Sequence, residues 1–184
     1  MEKYSEAINK RYEYKYLIGR ELVEGVTGFL SQHLKLDEYC AGRKNNNYTV
    51  RSIYYDSPSF KCYHEKLDGQ KYREKFRVRT YNEPGNAPIF LEDKKKDGSY
   101  YKKYRAELND DAMRIIDNPH LGSNEEKAIP EKDKSLIERF LFHLRGKAYF
   151  PVALVAYDRE AYIEPGGNNI RVTLDKNLRA ALFP

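Results

Sequence analysis

The chain has 184 residues, with 33 Lys and Arg against 28 Asp and Glu, a net charge of +5 and a pI near 9.0. Hydrophobic residues make up 40% and charged ones 33%, which suits one folded domain with a polar surface and excludes a disordered chain. The modest basic excess favours an anionic partner but excludes a uniformly basic nucleic-acid coat, and no run approaches the ~18 apolar residues of a membrane span.

In chain order, "RYEYKYLI" (11–18) alternates as a strand does, with Arg11, Glu13 and Lys15 on one face and Tyr12, Tyr14, Tyr16 and Ile18 on the other. "GRELVEGVTGFLSQHLKLD" places Leu22, Val26, Phe29 or Leu30, and His33 or Leu34 at helical spacing. "AGRKNNNYT" is a loop by composition, and "TVRSIYYDSP" is a strand ending at an Asp-Ser-Pro turn. Residues 59–70 fit a short helix closed by Gly69, and "KYREKFRVRTYN" is a strand closed by the loop "EPGNAP". "IFLEDKKK", an Asp-Gly turn and "SYYKKYRAEL" form a hairpin.

Asp110 and Asp111 suit the start of a short helix, and "SNEEKAIPEKD" is a polar linker. "KSLIERFLFHLRG" carries Leu136, Ile137, Phe140, Leu141 and Leu144 on one helical stripe. "YFPVALVAYDREAYIE", the turn "PGGNN" and "IRVTLDKNL" make a second hairpin. Strands joined as hairpins with helices as interludes predict an α+β domain on an antiparallel sheet or barrel. Cys40 and Cys62 match no metal or redox spacing and are expected as reduced thiols in a cytoplasmic protein. The four histidines lack metal-ligand spacing; His33 and His143 are expected on helices, in surface or capping roles.

The strand faces carry the functional signal. Lys75, Arg77, Arg79 and Tyr81 share a face, as do Glu92, Lys94 and Lys96, then Lys103, Arg105 and Glu107, then Tyr157 and Arg159, then Arg171, Thr173 and Asp175. Two structures explain this alternation: an open sheet whose wet face is laced with ion pairs, or a closed one whose charged faces line a lumen. A lumen rich in Arg and Lys repels itself unless an anion fills it. Guanidinium forks and ammonium groups suit phosphate oxygens, and interspersed carboxylates suit a divalent cation that bridges the same phosphates.

"RYEYKYLI", "VRSIYYDSP", "KFRVRTY", "FLEDKKK", "AYDREAY" and "IRVTLD" stand in an order and spacing that resemble the VTC domain, over about Lys10 to Leu178. That is the polyphosphate-polymerase domain of the triphosphate tunnel metalloenzyme (CYTH-like) superfamily. The resemblance implies a single tunnel domain over 1–184, an antiparallel β-barrel with helices packed outside. Lys15, Arg77, Arg79, Lys94, Arg159 and Arg171 would line the tunnel as catalytic phosphate-gripping groups, with Tyr157 a hydroxyl donor beside them. Arg11, Lys103 and Arg105 join as substrate-binding candidates from the same faces, and Glu13 and Glu92 as partial ligands for Mn2+ or Mg2+.

The implied reaction moves the γ-phosphate of ATP onto a growing polyphosphate chain; tripolyphosphate and pyrophosphate are related ligands, and nucleic acid is not expected. A tripolyphosphatase or nucleoside triphosphatase, and a non-catalytic polyphosphate or inositol polyphosphate sensor, are the alternatives. Two departures bear on activity. Tunnel triphosphatases open with Glu-x-Glu-x-Lys, whereas Arg11 stands at the first glutamate here, which fits the VTC branch. The chain also stops at "NLRAALFP", before the strand that normally carries a metal-binding Glu and a phosphate-binding Lys, so the barrel is expected to lack its last strand or to take it from a second chain.

Overall fold

The computed structural model describes residues 13–43, 45–81, 87–98, 100–120, 129–166 and 170–183. Arg11, the loop "EPGNAP" up to residue 86, most of the linker 123–133 and the end of the "PGGNN" turn lie outside the described residues. Contacts group the chain into two units, one built on 51–155 and one on 12–50 with 156–179. Among the described residues no helix is long and apolar enough to cross a membrane.

The fold is α+β and antiparallel, as expected. Among the described residues, seven strands form one sheet: β1 (Lys35–Leu36), β2 (Tyr48–Asp56), β3 (Tyr72–Tyr81), β4 (Ile89–Asp97), β5 (Tyr100–Leu108), β6 (Phe150–Ile163) and β7 (Arg171–Leu182). Their order is β1-β6-β2-β3-β4-β5, with β7 on β6. The helices are α1 (Val23–His33, after a 3-10 turn at Arg20–Leu22), α2 (Lys61–Leu67), α3 (Asp110–Asp117) and α4 (Glu131–Gly146).

Local chemistry explains these boundaries. At the end of β2 the Asp56 carboxylate accepts from the Cys62 and Tyr63 amides at 2.8 and 3.1 Å, and so supplies α2 with the acceptors its first turn lacks. Gly69 ends α2 at φ +67°: its amide donates to Lys66 and that of Gln70 to Glu65, a Schellman closure. Asn109 caps α3, its side chain accepting from Ala112 N at 2.8 Å. The β4–β5 hairpin pairs Asp97 with Tyr100, and Gly98 takes φ +61°, where a side chain would be strained. Helix α4 begins within the expected linker, because Pro130 suits the entry and Glu131 and Asp133 complement the positive N-terminal end.

One expected strand is absent among the described residues. Residues 13–18 form no strand; Tyr14, Tyr16 and Leu17 stand exposed. Alternation defines two faces, but a strand also needs a neighbour for its backbone groups, and periodicity says nothing about that neighbour.

In the first unit, Phe76, Val78, Leu91, Ala106 and Leu108 project from β3–β5 toward Leu136, Ile137, Phe140, Leu141 and Leu144 of α4. Phe140 is fully buried, 5.1 Å from the Phe76 ring and edge-on to Tyr55 at 4.9 Å. In the second unit, Leu30 of α1 packs with Tyr162 and Leu174. Both cysteines are free and buried. Phe140→Ala is expected to lower the unfolding free energy by about 3–5 kcal/mol in urea titrations, the cost of emptying a closed aromatic site; a loss below ~1 kcal/mol would contradict this packing.

Candidate functional site

With apolar residues turned to α4, the opposite face of β3–β5 is left to charge. The register sets it in rows: Arg77, Glu92 and Arg105 stand opposite one another, as do Lys75, Lys94 and Lys103, and then Arg73, Lys96 and Tyr101. Like charges directly opposite one another destabilise a sheet, so a row of three lysines needs an anion nearby.

Glu92 supplies one, and it is only 1% exposed. Arg77 donates to Oε2 from Nε at 2.8 Å, with Nη2 at 2.6 Å. Lys103 Nζ lies 2.5 Å from Oε1, off the direction of a well-formed hydrogen bond. Arg79 and Arg105 stand at 3.7 and 3.8 Å. Burial alone would raise the Glu92 carboxyl, yet Arg77, Lys103 and Arg79 hold it down at about 2. Lys103 moves the other way: burial, helped by Arg77 and Arg79, pulls it down to about 8 despite Glu92.

Neighbouring side chains aim these cations. Arg77 Nη1 donates to the Tyr54 hydroxyl at 3.1 Å and Arg79 Nε to Ser52 Oγ at 2.9 Å, both from β2. Burial works against ionisation of Tyr54, but Arg77 and Arg79 carry it below its ordinary value. Arg105 lies over the Phe90 ring at 3.4 Å and Lys94 over Tyr101 at 4.6 Å. Lys94, Arg77, Arg79, Lys103, Arg105 and Glu92 thus share one face, as the alternation predicts.

The second unit carries its own cluster. Arg159 forks onto Asp175 at 2.7 and 2.8 Å and stands 5.1 Å from the Tyr157 ring. Burial opposes the Arg159 charge, and the Asp175 bonds hold its pKa above the usual value. Arg171 Nη2 lies 3.0 Å from the buried Asp37 and 3.5 Å from the Tyr48 hydroxyl. Burial raises the Tyr48 phenol against the pull of Arg159 and Arg171. Arg159, Arg171 and Tyr157 therefore stand among buried or half-buried polar groups, whereas Lys15, on the irregular segment, is 80% exposed and pairs with Glu13 at 3.5 Å.

Behind the basic face lies a polar cluster that the periodicity did not announce. Arg139 of α4 bonds the fully buried Asp93 and stands 3.3 Å from Glu74, while His143 Nε2 is 3.4 Å from Glu74. His143 lies on a helix, as expected, but is buried rather than in a surface or capping role. Burial and then Glu74 push the Asp93 carboxyl up.

The Glu92 surroundings do not fit a resident divalent cation. An ion on either oxygen would stand beside an Arg or Lys nitrogen, and a double charge ~4 Å from a single one is opposed by about 8 kcal/mol at an effective dielectric of 20. Glu13 already has a lysine beside it. Among the described residues no group of three acidic, histidine or cysteine side chains is disposed to hold a metal. The sequence reading missed Ser52, Tyr54 and Tyr48, which aim arginines but carry no charge; hydroxyls two apart on a strand were the available signal.

The VTC domain family model matches residues 10–182. No curated protein matches the chain. Among solved structures, a candidate adenylate cyclase from Bacillus halodurans is similar at 11% identity and a TM-score of 0.53, over 89% of this chain and 73% of that one, a likeness of fold. A protein from Pyrococcus horikoshii OT3 aligns at 16% identity and a TM-score of 0.42, over 83% and 64%. With its antiparallel sheet, its basic β3–β5 face and a family match over nearly its whole length, the chain belongs to the VTC domain family.

Proposed function

We propose that the β3–β5 face binds oligophosphate and that the chain transfers the γ-phosphate of ATP to a growing polyphosphate chain. The observation that carries this reading is the four cations gathered on the single carboxylate of Glu92. Positive groups converge on one point of the sheet, an arrangement that suits a polyanion. Arg77, Arg79, Lys94, Lys103 and Arg105 present forks and point charges on a rigid sheet, the arrangement that holds phosphates in line and offsets charge developing during phosphoryl transfer.

Arg159, Arg171 and Tyr157 are proposed as further phosphate-binding groups, and Lys15 and Arg11 as contributors from the N-terminal segment. Mn2+ or Mg2+ enters with the nucleotide, as part of the substrate. A phosphate acceptor is already ionised and needs no general base. ATP use of this kind suits the cytoplasm.

Incubation with ATP and Mn2+, resolved on a gel, tests the reaction: a ladder of chains is the expected product. Free phosphate alone would assign a hydrolase, and binding without turnover a sensor. Arg77→Ala is expected to weaken tripolyphosphate binding at least about tenfold, the loss of one charge-assisted contact, while the thermal unfolding transition remains cooperative. An unchanged affinity would remove the face from the reading.

Lys103 gives a second readout. Its folded pKa of about 8 lies below the ordinary lysine value, so near pH 8 it is about half protonated, and a bound polyanion favours the charged form. Tripolyphosphate binding at pH 8 is therefore expected to take up about half a proton more in the native protein than in Lys103→Gln, with the two alike at pH 6. Calorimetry in buffers of different ionisation enthalpy measures the difference, and equal uptake at pH 8 would refute it.

A further inference from the structure

We propose that Glu92 is the resident counter-ion of the basic face, not a metal ligand, and that this face takes up oligophosphate as the free polyanion, with no divalent cation required for binding. The inference rests on the reading that the face binds oligophosphate, and it departs from the expectation that Glu92 helps to hold Mn2+ or Mg2+.

Both oxygens of Glu92 face cations. Oε2 has Arg77 Nη2 at 2.6 Å and Arg79 at 3.7 Å, and Oε1 has Lys103 at 2.5 Å and Arg105 at 3.8 Å. The carboxylate is almost wholly buried, so a hydrated cation approaching it must shed water and displace an arginine or lysine nitrogen. The other carboxylate on this face of β3–β5, Glu107, stands one row away, opposite Phe90, and Arg105 rather than a second acid is the β5 residue opposite Glu92.

The same geometry favours an anion. A guanidinium carries five N–H donors and Glu92 uses only part of the Arg77 fork, so donors remain for phosphate oxygens. The row Lys75, Lys94 and Lys103 adjoins the Glu92 row along the strands, where added negative charge relieves repulsion between ammonium groups placed opposite one another. Glu92 keeps the cations gathered before ligand arrives, and the polyanion brings the remaining countercharge. A divalent cation in solution competes for that polyanion and lowers its free concentration.

The test is calorimetric titration of tripolyphosphate into the protein in EDTA and then in excess Mg2+, with Mn2+ binding to the ligand-free protein followed by electron paramagnetic resonance. Saturable binding in EDTA, weakened several-fold by Mg2+, and no tight Mn2+ site on the free protein are expected. Binding that appears only with Mg2+, or a tight Mn2+ site abolished by Glu92→Gln, would overturn this inference and leave the oligophosphate reading standing. No binding in either condition would defeat both. In Glu92→Gln the ratio of affinities with and without Mg2+ is expected to match that of the native protein; a ratio collapsing to one would assign the metal to Glu92.

Discussion

Charges of one sign cannot share the face of a sheet unless something of the opposite sign stands among them, and on β3–β5 that something is Glu92. Its carboxylate is nearly sealed from water and is kept ionised by Arg77, Lys103 and Arg79 against the cost of burial. The cations in turn depend on it: without a negative charge at that point, the neighbouring lysine row and the flanking arginines would push their strands apart. The depressed ionisation of Lys103 comes first from its burial, with Arg77 and Arg79 adding to it against the pull of Glu92.

The scaffold around this face is arranged to be stiff. Helix α4 lies on the reverse side through Phe140 and its neighbours, and Arg139 ties β3 and β4 together from behind by reaching Glu74 and Asp93. On the charged side, Ser52 and Tyr54 steady two guanidinium groups, and Phe90 supports a third. Side chains held this way lose little further entropy when they meet a ligand, which is what pre-organised recognition requires.

The sequence made much of this legible, and the limits have physical causes. The charged face of β3–β5 could be read best at Arg77, Arg79 and Arg105, whose neighbours on the chain are uncharged, so the period of two stands out there. The hairpin could be read from an Asp-Gly pair, and α4 from its stripe of Leu, Ile and Phe. "RYEYKYLI" misled because alternation is necessary for a half-buried strand and not sufficient for one. Ser52 and Tyr54 passed unnoticed because neutral hydroxyls leave no charge pattern. His143 and Asp93 were hidden for another reason: a polar group buried against a helix looks, on a linear chain, like any surface residue.

The adjacency of Glu92 and Asp93 has a consequence for how the chain reaches its native state. Two consecutive acids on β4 point to opposite sides and meet different bases, Glu92 the cations of the open face and Asp93 the Arg139 of α4. Shifting β4 by one residue would exchange them, and would also drive Lys94 toward the Phe76 side and turn Leu91 out to water. A slipped hairpin is thus penalised at several points together, by stranded charge as well as by lost apolar contact. The dipeptide favours one alignment of the strand, the one in which Glu92 meets the cations of the charged face and Asp93 meets Arg139.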